Sequence, residues 1–223
     1  MTLRLFSTFA LFAILFVGAV QAQTVQDRLP GLRTGDGVVF DFRQSVTVVS
    51  VTAVQDQKIH LRIATATKDL LDREGLDSWL SWLHKGCKGA ASDETICLRT
   101  DTVGVIRAED QSKIAWLLTL MGLDLKKVPE SMRRKAGPAP LAGELDLRHP
   151  WHPPIVVQGA RLPCSTDAYT TCWPDDGSDL SCRLLVLYFP ASQGAVQGFP
   201  YWIESPSSSY HVQVIDSTHT PGP

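Results

Sequence analysis

Two neighbouring segments rich in β-branched residues constrain the fold of this chain more than any other sequence feature. Residues 45–54 read SVTVVSVTAV, and residues 58–66 read KIHLRIATA, in which apolar and polar side chains alternate over the first six positions. Alternation with a period of two is typical of a strand that buries one face. The polar residues 55–57 between the two segments indicate a hairpin loop. We therefore expect an antiparallel strand pair here.

The rest of the N-terminal part predicts a mixture of strands and helices. Residues 68–84 carry apolar side chains at positions 76, 79, 80 and 83, which is the spacing of one helix face. Gly86 follows where a glycine commonly ends a helix. We also expect strands at residues 37–42, 95–99 and 103–107, and a second helix at residues 111–120.

The C-terminal part shows no helical period. It contains short β-rich runs that are separated by Pro, Gly and Ser clusters. Such a series predicts a small, sandwich-like, all-β domain with Tyr201 and Trp202 in its core. The runs are residues 155–160, 183–189, 200–204 and 210–216.

A polar, proline-containing stretch at residues 130–145 separates the two parts and is typical of a linker. The expected fold class is therefore α+β. A mixed strand and helix domain spans residues 23–129, and a β-rich domain spans residues 146–216. The end of the chain, residues 217–223, reads STHTPGP, and we expect this tail to be disordered.

The first 22 residues have the order of a secretory signal peptide. Arg4 is followed by an almost wholly apolar run to Val20, and Ala22 offers a small residue at the expected cleavage point. The alternative is an uncleaved membrane anchor, but about 16 apolar residues is short for a spanning helix. We expect cleavage after Ala22, no transmembrane segment in the mature chain, and a soluble secreted or periplasmic protein.

The charge distribution argues against nucleic-acid binding. The whole chain has a formal net charge of −2. From Asp146 onward, seven acidic residues face three basic ones, so this part is a poor match for a polyanion. A basic stretch precedes it, which we interpret as a solvated surface, with contact to anionic lipid or polysaccharide as the alternative. Its members are Lys126, Lys127, Arg133, Arg134 and Lys135.

All five cysteines follow the predicted signal peptide. Export makes disulfides the default expectation, and the odd count leaves at least one free thiol. Cys87 and Cys97 bracket a short polar loop, and we expect them to pair. A second bridge would join two of Cys164, Cys172 and Cys182, and the sequence does not say which two.

His149 and His152 are the candidate metal ligands. They lie three residues apart in the run HPWHPP. The prolines favour an extended backbone, which does not bring the two imidazoles to one face as a helix turn would. We expect no metal or other cofactor, and treat binding of zinc or copper by this pair as the alternative.

The sequence contains no familiar catalytic motif such as G-x-S-x-G, S-x-x-K or H-E-x-x-H. We therefore expect no catalytic residues. The favoured function is a non-catalytic binding or structural module of the cell envelope, with an envelope protein or glycan as its partner. The alternatives are an exported hydrolase of envelope polymers with a site between the domains, and a metal-handling protein that uses His149 and His152.

Overall fold

A computed structural model describes residues 23–99, 105–107 and 114–220 of the chain, and for residues 105–107 it describes the backbone alone. The predicted signal peptide also lies outside the described residues. The protein is mostly antiparallel β-sheet, with 40% of residues in strands and 15% in helices. Strand therefore dominates over helix more than the α+β expectation implied.

The described strands and helices carry the following labels, in chain order. The strands are β1 (Gln23–Thr24), β2 (Gly37–Asp41), β3 (Ser45–Gln55), β4 (Lys58–Thr67), β5 (Ser92–Arg99), β6 (Val105–Arg107), β7 (Asp124–Lys127), β8 (Ile155–Val157), β9 (Ala160–Leu162), β10 (Thr166–Cys172), β11 (Leu184–Pro190), β12 (Trp202–Glu204) and β13 (His211–Thr218). The α-helices are α1 (Leu70–Glu74), α2 (Trp79–His84) and α3 (Ala115–Met121), and short 3-10 helices span Gln26–Gly31 and Glu130–Met132.

The hairpin predicted from residues 45–66 is confirmed as β3 and β4. The two strands pair antiparallel from Ser45 opposite Thr67 to Gln55 opposite Lys58. Asp56 and Gln57 form the turn with φ of 46° and 61°, respectively. Two consecutive positive φ values match the tight turn whose twist fits a hairpin.

A single sheet joins both parts of the chain within the described residues. Its strand order is β1-β7-β10-β11-β12-β13-β2-β3-β4-β5-β6, and β8 and β9 form a separate pair. The link is β13, which pairs with β12 on one side and with β2 on the other, with Val214 opposite Phe40. The expected division into two domains on either side of residues 130–145 is therefore not confirmed.

The main apolar core lies on one face of this sheet, here called the inner face. It contains Phe40 and Leu61 from the N-terminal strands together with Leu187, Phe189 and Val214 from the C-terminal strands. The helix α3 and the 3-10 helix at Gln26–Gly31 also contribute buried side chains to it. Because the core contains side chains from both parts of the chain, each part covers apolar side chains of the other.

A smaller apolar cluster lies on the outer face, where α2 packs on the sheet. Trp79 and Trp82 of α2 belong to a cluster with Val46, Val48 and Ala64 of β3 and β4. The period of two in the strands explains both clusters, because successive side chains point to opposite faces.

The prediction of a single helix over residues 68–84 is wrong, since two short helices occupy this segment. Gly75 ends α1 in the left-handed conformation, with φ of 61°. Ser78 begins α2, and its Oγ accepts a hydrogen bond from the Ser81 amide at 3.1 Å. The helical spacing of the apolar residues is thus real, but a glycine and a capping serine divide the segment.

The C-terminal strands at β11, β12 and β13 were predicted, but β7 and β10 were not. The sequences of β7 (DLKK) and β10 (TDAYTTC) are mostly polar and lack the apolar pattern from which a strand is predicted. The run expected at residues 155–160 is instead the start of a hairpin, with Gln158 and Gly159 at positive φ between β8 and β9.

The tail predicted to be disordered from residue 217 is ordered through Thr220. Ser217 is buried within β13, and its Oγ donates to the Val156 carbonyl at 2.8 Å. Asp36, with 1% of its surface exposed, accepts a hydrogen bond from the Thr220 amide at 2.8 Å and lies 3.1 Å from His219 Nδ1. A buried carboxylate needs such partners, so the tail is anchored where it meets Asp36.

Candidate functional site

A cleft of about 750 Å³ lies on the outer face of β10–β13, opposite the main core. Its floor includes Tyr188 of β11, Trp202 and Glu204 of β12, and His211 of β13. The segment 128–134 forms its other wall. We call this space the aromatic cleft. Successive side chains of β12 point to opposite faces of the sheet. Ile203 lies in the core, whereas Trp202 and Glu204 face the cleft.

Glu204 is the centre of the polar contacts in the aromatic cleft. Its carboxylate, 16% exposed, accepts hydrogen bonds from Tyr188 Oη at 3.0 Å and from Trp202 Nε1 at 2.9 Å. Arg134 Nη1 donates to it at 3.1 Å and completes an ion pair. Three donors, one of them charged, fix the orientation of this carboxylate.

Burial raises the pKa of Tyr188, and the adjacent Glu204 carboxylate raises it further. The phenol therefore stays protonated at neutral pH and acts as a hydrogen-bond donor to the carboxylate. This arrangement fixes the positions of the side chains that line the cleft.

The aromatic rings of the cleft form a connected group. Trp202 stacks on His211, with ring centroids 4.5 Å apart and planes inclined by 8°. Behind them, Trp151 makes edge contacts at 5.3 Å with both Trp202 and Tyr188. Arg134 lies over the Trp151 ring at 4.4 Å. Each ring is held by another ring or by a cation, so the cleft presents fixed aromatic surfaces.

The basic stretch is largely neutralised by ion pairs rather than simply solvated. Arg133, with 10% of its side chain exposed, donates to the Thr166 carbonyl at 2.8 Å and lies 3.4 Å from Asp167. Lys127 lies 3.1 Å from the same carboxylate. Burial opposes ionisation of Asp167, but these two cations outweigh it and lower its pKa. Lys135 pairs in the same way with Asp146 at 2.8 Å.

A second space of about 660 Å³ adjoins the aromatic cleft, and we call it the polar cavity. The two spaces share the wall formed by residues 208–211. Lys68 lines the polar cavity and pairs with Asp41. Arg43 and Arg183 also line it, and neither guanidinium has a hydrogen-bond or ion-pair partner among the described residues.

The predicted Cys87–Cys97 bridge is absent, because both residues are free thiols and no described cysteines lie at disulfide distance. Strand geometry explains this correction. Arg62 binds both the carbonyl of Gly86, which precedes Cys87, and the carboxylate of Asp93 in β5. Cys97 lies four residues further along β5, and an extended strand covers about 13 Å in that span.

The second predicted bridge is also absent from the structure, since Cys164, Cys172 and Cys182 are free thiols. Cys164 Sγ lies 3.0 Å from Ser192 Oγ, whereas Cys172 ends β10 and Cys182 lies in the following loop. Cys172 and Cys182 lie at the same end of the β10–β11 pair, where the Trp173 amide donates to the Arg183 carbonyl at 2.9 Å, but no described cysteines lie at disulfide distance.

The two candidate metal ligands lie in the irregular segment that leads to β8. His149 is exposed, whereas His152 Nδ1 accepts a hydrogen bond from the Thr166 amide at 3.0 Å. This bond ties the segment to β10. Among the described residues, no group of three or more potential ligands is close enough to hold a metal ion. The pair therefore has no third protein ligand in the part of the chain that the structure shows.

Sequence reasoning missed the aromatic cleft, although one signal was present. Tyr201 is buried as expected, but Trp202 faces the cleft instead of the core. The sequence Trp-Ile-Glu in β12 places Glu204 on the same face as the tryptophan. A glutamate and a tryptophan sharing one face indicate a partly solvated surface rather than a core.

The fold and the site define a protein built on one large antiparallel sheet, with an aromatic cleft on the face opposite its core. The sequence profile of the CT021 protein family matches residues 47–163, which are 117 of the 223 residues. The chain therefore belongs to the CT021 protein family. The matched region crosses the expected linker at residues 130–145.

The fold is also similar to a solved structure. The 2.0 Å resolution structure of the hypothetical protein CT021 from Chlamydia trachomatis aligns with a TM-score of 0.56 and 15% identity. The alignment covers 89% of this chain and 94% of that one. No curated protein matches the chain. The described part of the chain holds no helix of the length and apolarity needed to cross a membrane.

Proposed function

We propose that this protein is an exported, non-catalytic binding module of the cell envelope and that the aromatic cleft binds a glycan. The observation that carries the proposal is the fixed group of Tyr188, Trp202, Glu204 and His211 on the floor of the cleft. Sugar rings offer an apolar C–H face to aromatic side chains and hydroxyl groups to polar ones. The cleft supplies both kinds of contact.

The shape of the site favours a glycan over a protein partner. Small-ligand sites are concave spaces of roughly 300–1,000 Å³ with apolar walls and a few fixed polar groups. The aromatic cleft, at about 750 Å³, falls within that range. A stable protein interface instead uses an extended surface of about 800 Å² on each partner.

The contacts of Glu204 favour binding over hydrolysis. Glycoside hydrolases generally use two carboxyl groups on either side of the scissile bond. Among the described residues that line the aromatic cleft, Glu204 alone carries a carboxylate, and three donors already engage it. In the proposed role this carboxylate orients the ligand together with the side chains that it already contacts.

Export is the second part of the proposal, and it rests on the N-terminal sequence. Arg4, the apolar run to Val20 and the small residue Ala22 have the order that a signal peptidase recognises. Expression of the full chain in a Gram-negative host should yield a periplasmic protein whose N-terminus is Gln23. An intact N-terminus in the cytoplasmic fraction would contradict export.

Glycan binding can be tested with the mature protein and a panel of immobilised envelope polysaccharides, including peptidoglycan. We expect retention on at least one glycan, weakened by at least about tenfold in Trp202→Ala because the aromatic floor is lost. Trp202→Phe should retain part of the affinity. Leu141→Ala, at a residue 74% exposed outside the cleft, serves as the matched surface control and should bind normally.

Three outcomes of this experiment would contradict the proposal. They are the absence of binding to every glycan, binding that Trp202→Ala leaves unchanged, and the release of shorter saccharides during incubation. The last result would instead favour the exported hydrolase. Circular dichroism of each variant separates loss of the site from loss of the fold.

A further inference from the structure

We infer that the glycan is acidic and that the polar cavity receives its negatively charged groups. This inference rests on the proposed function, because it concerns the same ligand. It adds the charge of the ligand and a second set of residues that recognise it.

The first observation is that the two spaces are adjacent. Residues 208–211 line both the aromatic cleft and the polar cavity. Within this shared wall, His211 stacks on Trp202 on the side of the cleft. A saccharide that binds in the aromatic cleft and extends past residues 208–211 would therefore reach the polar cavity.

The second observation is the charge of the polar cavity. Three cationic side chains line it, those of Arg43, Lys68 and Arg183, against the carboxylates of Asp41 and Asp179. Lys68 is paired with Asp41, which also accepts a hydrogen bond from Gln213. The charges that are not paired within the described residues are therefore both guanidinium groups and the carboxylate of Asp179, so that unpaired cations exceed unpaired anions by one.

The third observation is the chemistry of those two guanidinium groups. An arginine side chain presents a planar array of N–H donors that matches the two oxygens of a carboxylate. Other arginines among the described residues have a carboxylate partner, as Arg134 has Glu204 and Arg62 has Asp93. Arg43 and Arg183 are without one in the described structure, and both face the same cavity.

The overall charge of the protein does not explain an attraction for anions. The chain has a formal net charge of −2, and the acidic residues are concentrated in its C-terminal part. Selectivity for an acidic glycan would therefore come from the local arrangement of Arg43 and Arg183. Because such contacts at a solvent-accessible site are screened by salt, the affinity should fall as ionic strength rises.

Two hexasaccharides that differ only in charge test the inference. Cellohexaose is neutral, and its β-1,4-linked hexaglucuronate counterpart carries a carboxylate in place of each C6 hydroxymethyl group. Calorimetric titration of the mature protein at low salt should give an affinity at least about tenfold higher for the hexaglucuronate. The preference should decline when salt is added.

The double variant Arg43→Gln/Arg183→Gln assigns the preference to the polar cavity. We expect this variant to lose the preference for hexaglucuronate, measured as the ratio of its affinities for hexaglucuronate and for cellohexaose. The matched control is Lys58→Gln/Arg161→Gln, which removes the same charge at two exposed residues outside both spaces. This control should keep the wild-type preference.

Equal affinity for the two hexasaccharides would overturn the inference and leave the proposed glycan site intact. A preference that survives in Arg43→Gln/Arg183→Gln would also overturn it. Inorganic phosphate that binds as tightly as hexaglucuronate would mean a site for free anions rather than for an acidic saccharide. If neither hexasaccharide binds, the inference fails, and the polysaccharide panel decides separately whether the proposed function stands.

Discussion

At the scale of single residues, Tyr201 shows how one buried hydroxyl connects distant segments. Its side chain is 1% exposed, and its hydroxyl accepts a hydrogen bond from the Val196 amide at 3.2 Å. The same hydroxyl donates to Ser217 Oγ at 2.7 Å, and Ser217 in turn donates to the Val156 carbonyl. Burial raises the pKa of Tyr201 to about 12, so the donor is present at neutral pH.

We predict that Tyr201→Phe lowers the free energy of unfolding by about 1–3 kcal/mol, because it leaves buried polar groups without a partner. Urea unfolding at neutral pH measures this change. Tyr210→Phe is the matched control, since the Tyr210 hydroxyl has no hydrogen bond among the described residues. Equal losses in the two variants would contradict a specific role for the Tyr201 hydroxyl.

At the scale of elements, the wall of the aromatic cleft is attached to the sheet by Asp167 of β10. Lys127 and Arg133 both pair with this carboxylate, so β7 and the segment after it are tied to one point. Although burial opposes it, the two cations hold the pKa of Asp167 below its ordinary value of 3.8. A carboxylate whose folded pKa is lowered stabilises the protein above its unfolded pKa.

We predict that Asp167→Asn is less stable than the wild type by about 1 kcal/mol at pH 7. The difference should shrink as the pH falls below about 4, where the carboxylate becomes protonated in the unfolded chain, and should be lost once the pH falls below the lowered pKa of the folded protein. Urea unfolding at pH 7 and pH 3 measures both values. The control is Asp124→Asn, at an exposed residue of β7. A loss of stability in Asp167→Asn that is the same at pH 7 and pH 3 would contradict the argument.

At the scale of the whole molecule, β13 holds the two parts of the chain together. It pairs with β2 from Gln213 opposite Asp41 to Thr218 opposite Gly37, with a bulge between Val214 and Asp216. The main core likewise combines side chains from both parts. Each part alone would leave exposed the apolar side chains that the other part covers in the complete sheet.

We therefore predict that residues 23–129 and 130–223, produced as separate chains, each lack cooperative unfolding. Removing the partner exposes the edge of β2 or β13 and the apolar side chains beneath it. Circular dichroism and thermal unfolding of the two fragments, alone and mixed, measure this. Cooperative unfolding of either fragment by itself would instead support the two-domain organisation expected from the sequence.

Local sequence patterns predicted much of the secondary structure. The β3–β4 hairpin follows from alternation on either side of a polar turn, and α2 follows from apolar residues at helical spacing. These elements depend mainly on neighbours in the chain. The strand β10 escaped prediction because its sequence TDAYTTC is mostly polar, and only pairing with β7 and β11 makes it a strand.

The candidate site could be predicted far less well. Glu204 and Arg134 lie 70 residues apart in the chain and meet only in the folded protein. No periodic pattern in the sequence predicts this contact or the contact between Trp151 and Tyr188. Cys87 and Cys97 show the converse. They are close in sequence, but the residue before Cys87 lies near the start of β5, whereas Cys97 lies four residues beyond Asp93 in that strand.

The sequence by itself determined the strands, turns and helix ends that depend on local preference and hydrophobic period. It also carries the N-terminal signal on which the export proposal rests. Only the tertiary structure decided that β13 joins both parts into one sheet and that the outer face of β10–β13 holds an aromatic cleft. The physical reason is that strand pairing and cleft formation depend on contacts between residues far apart in the chain, which no local pattern encodes.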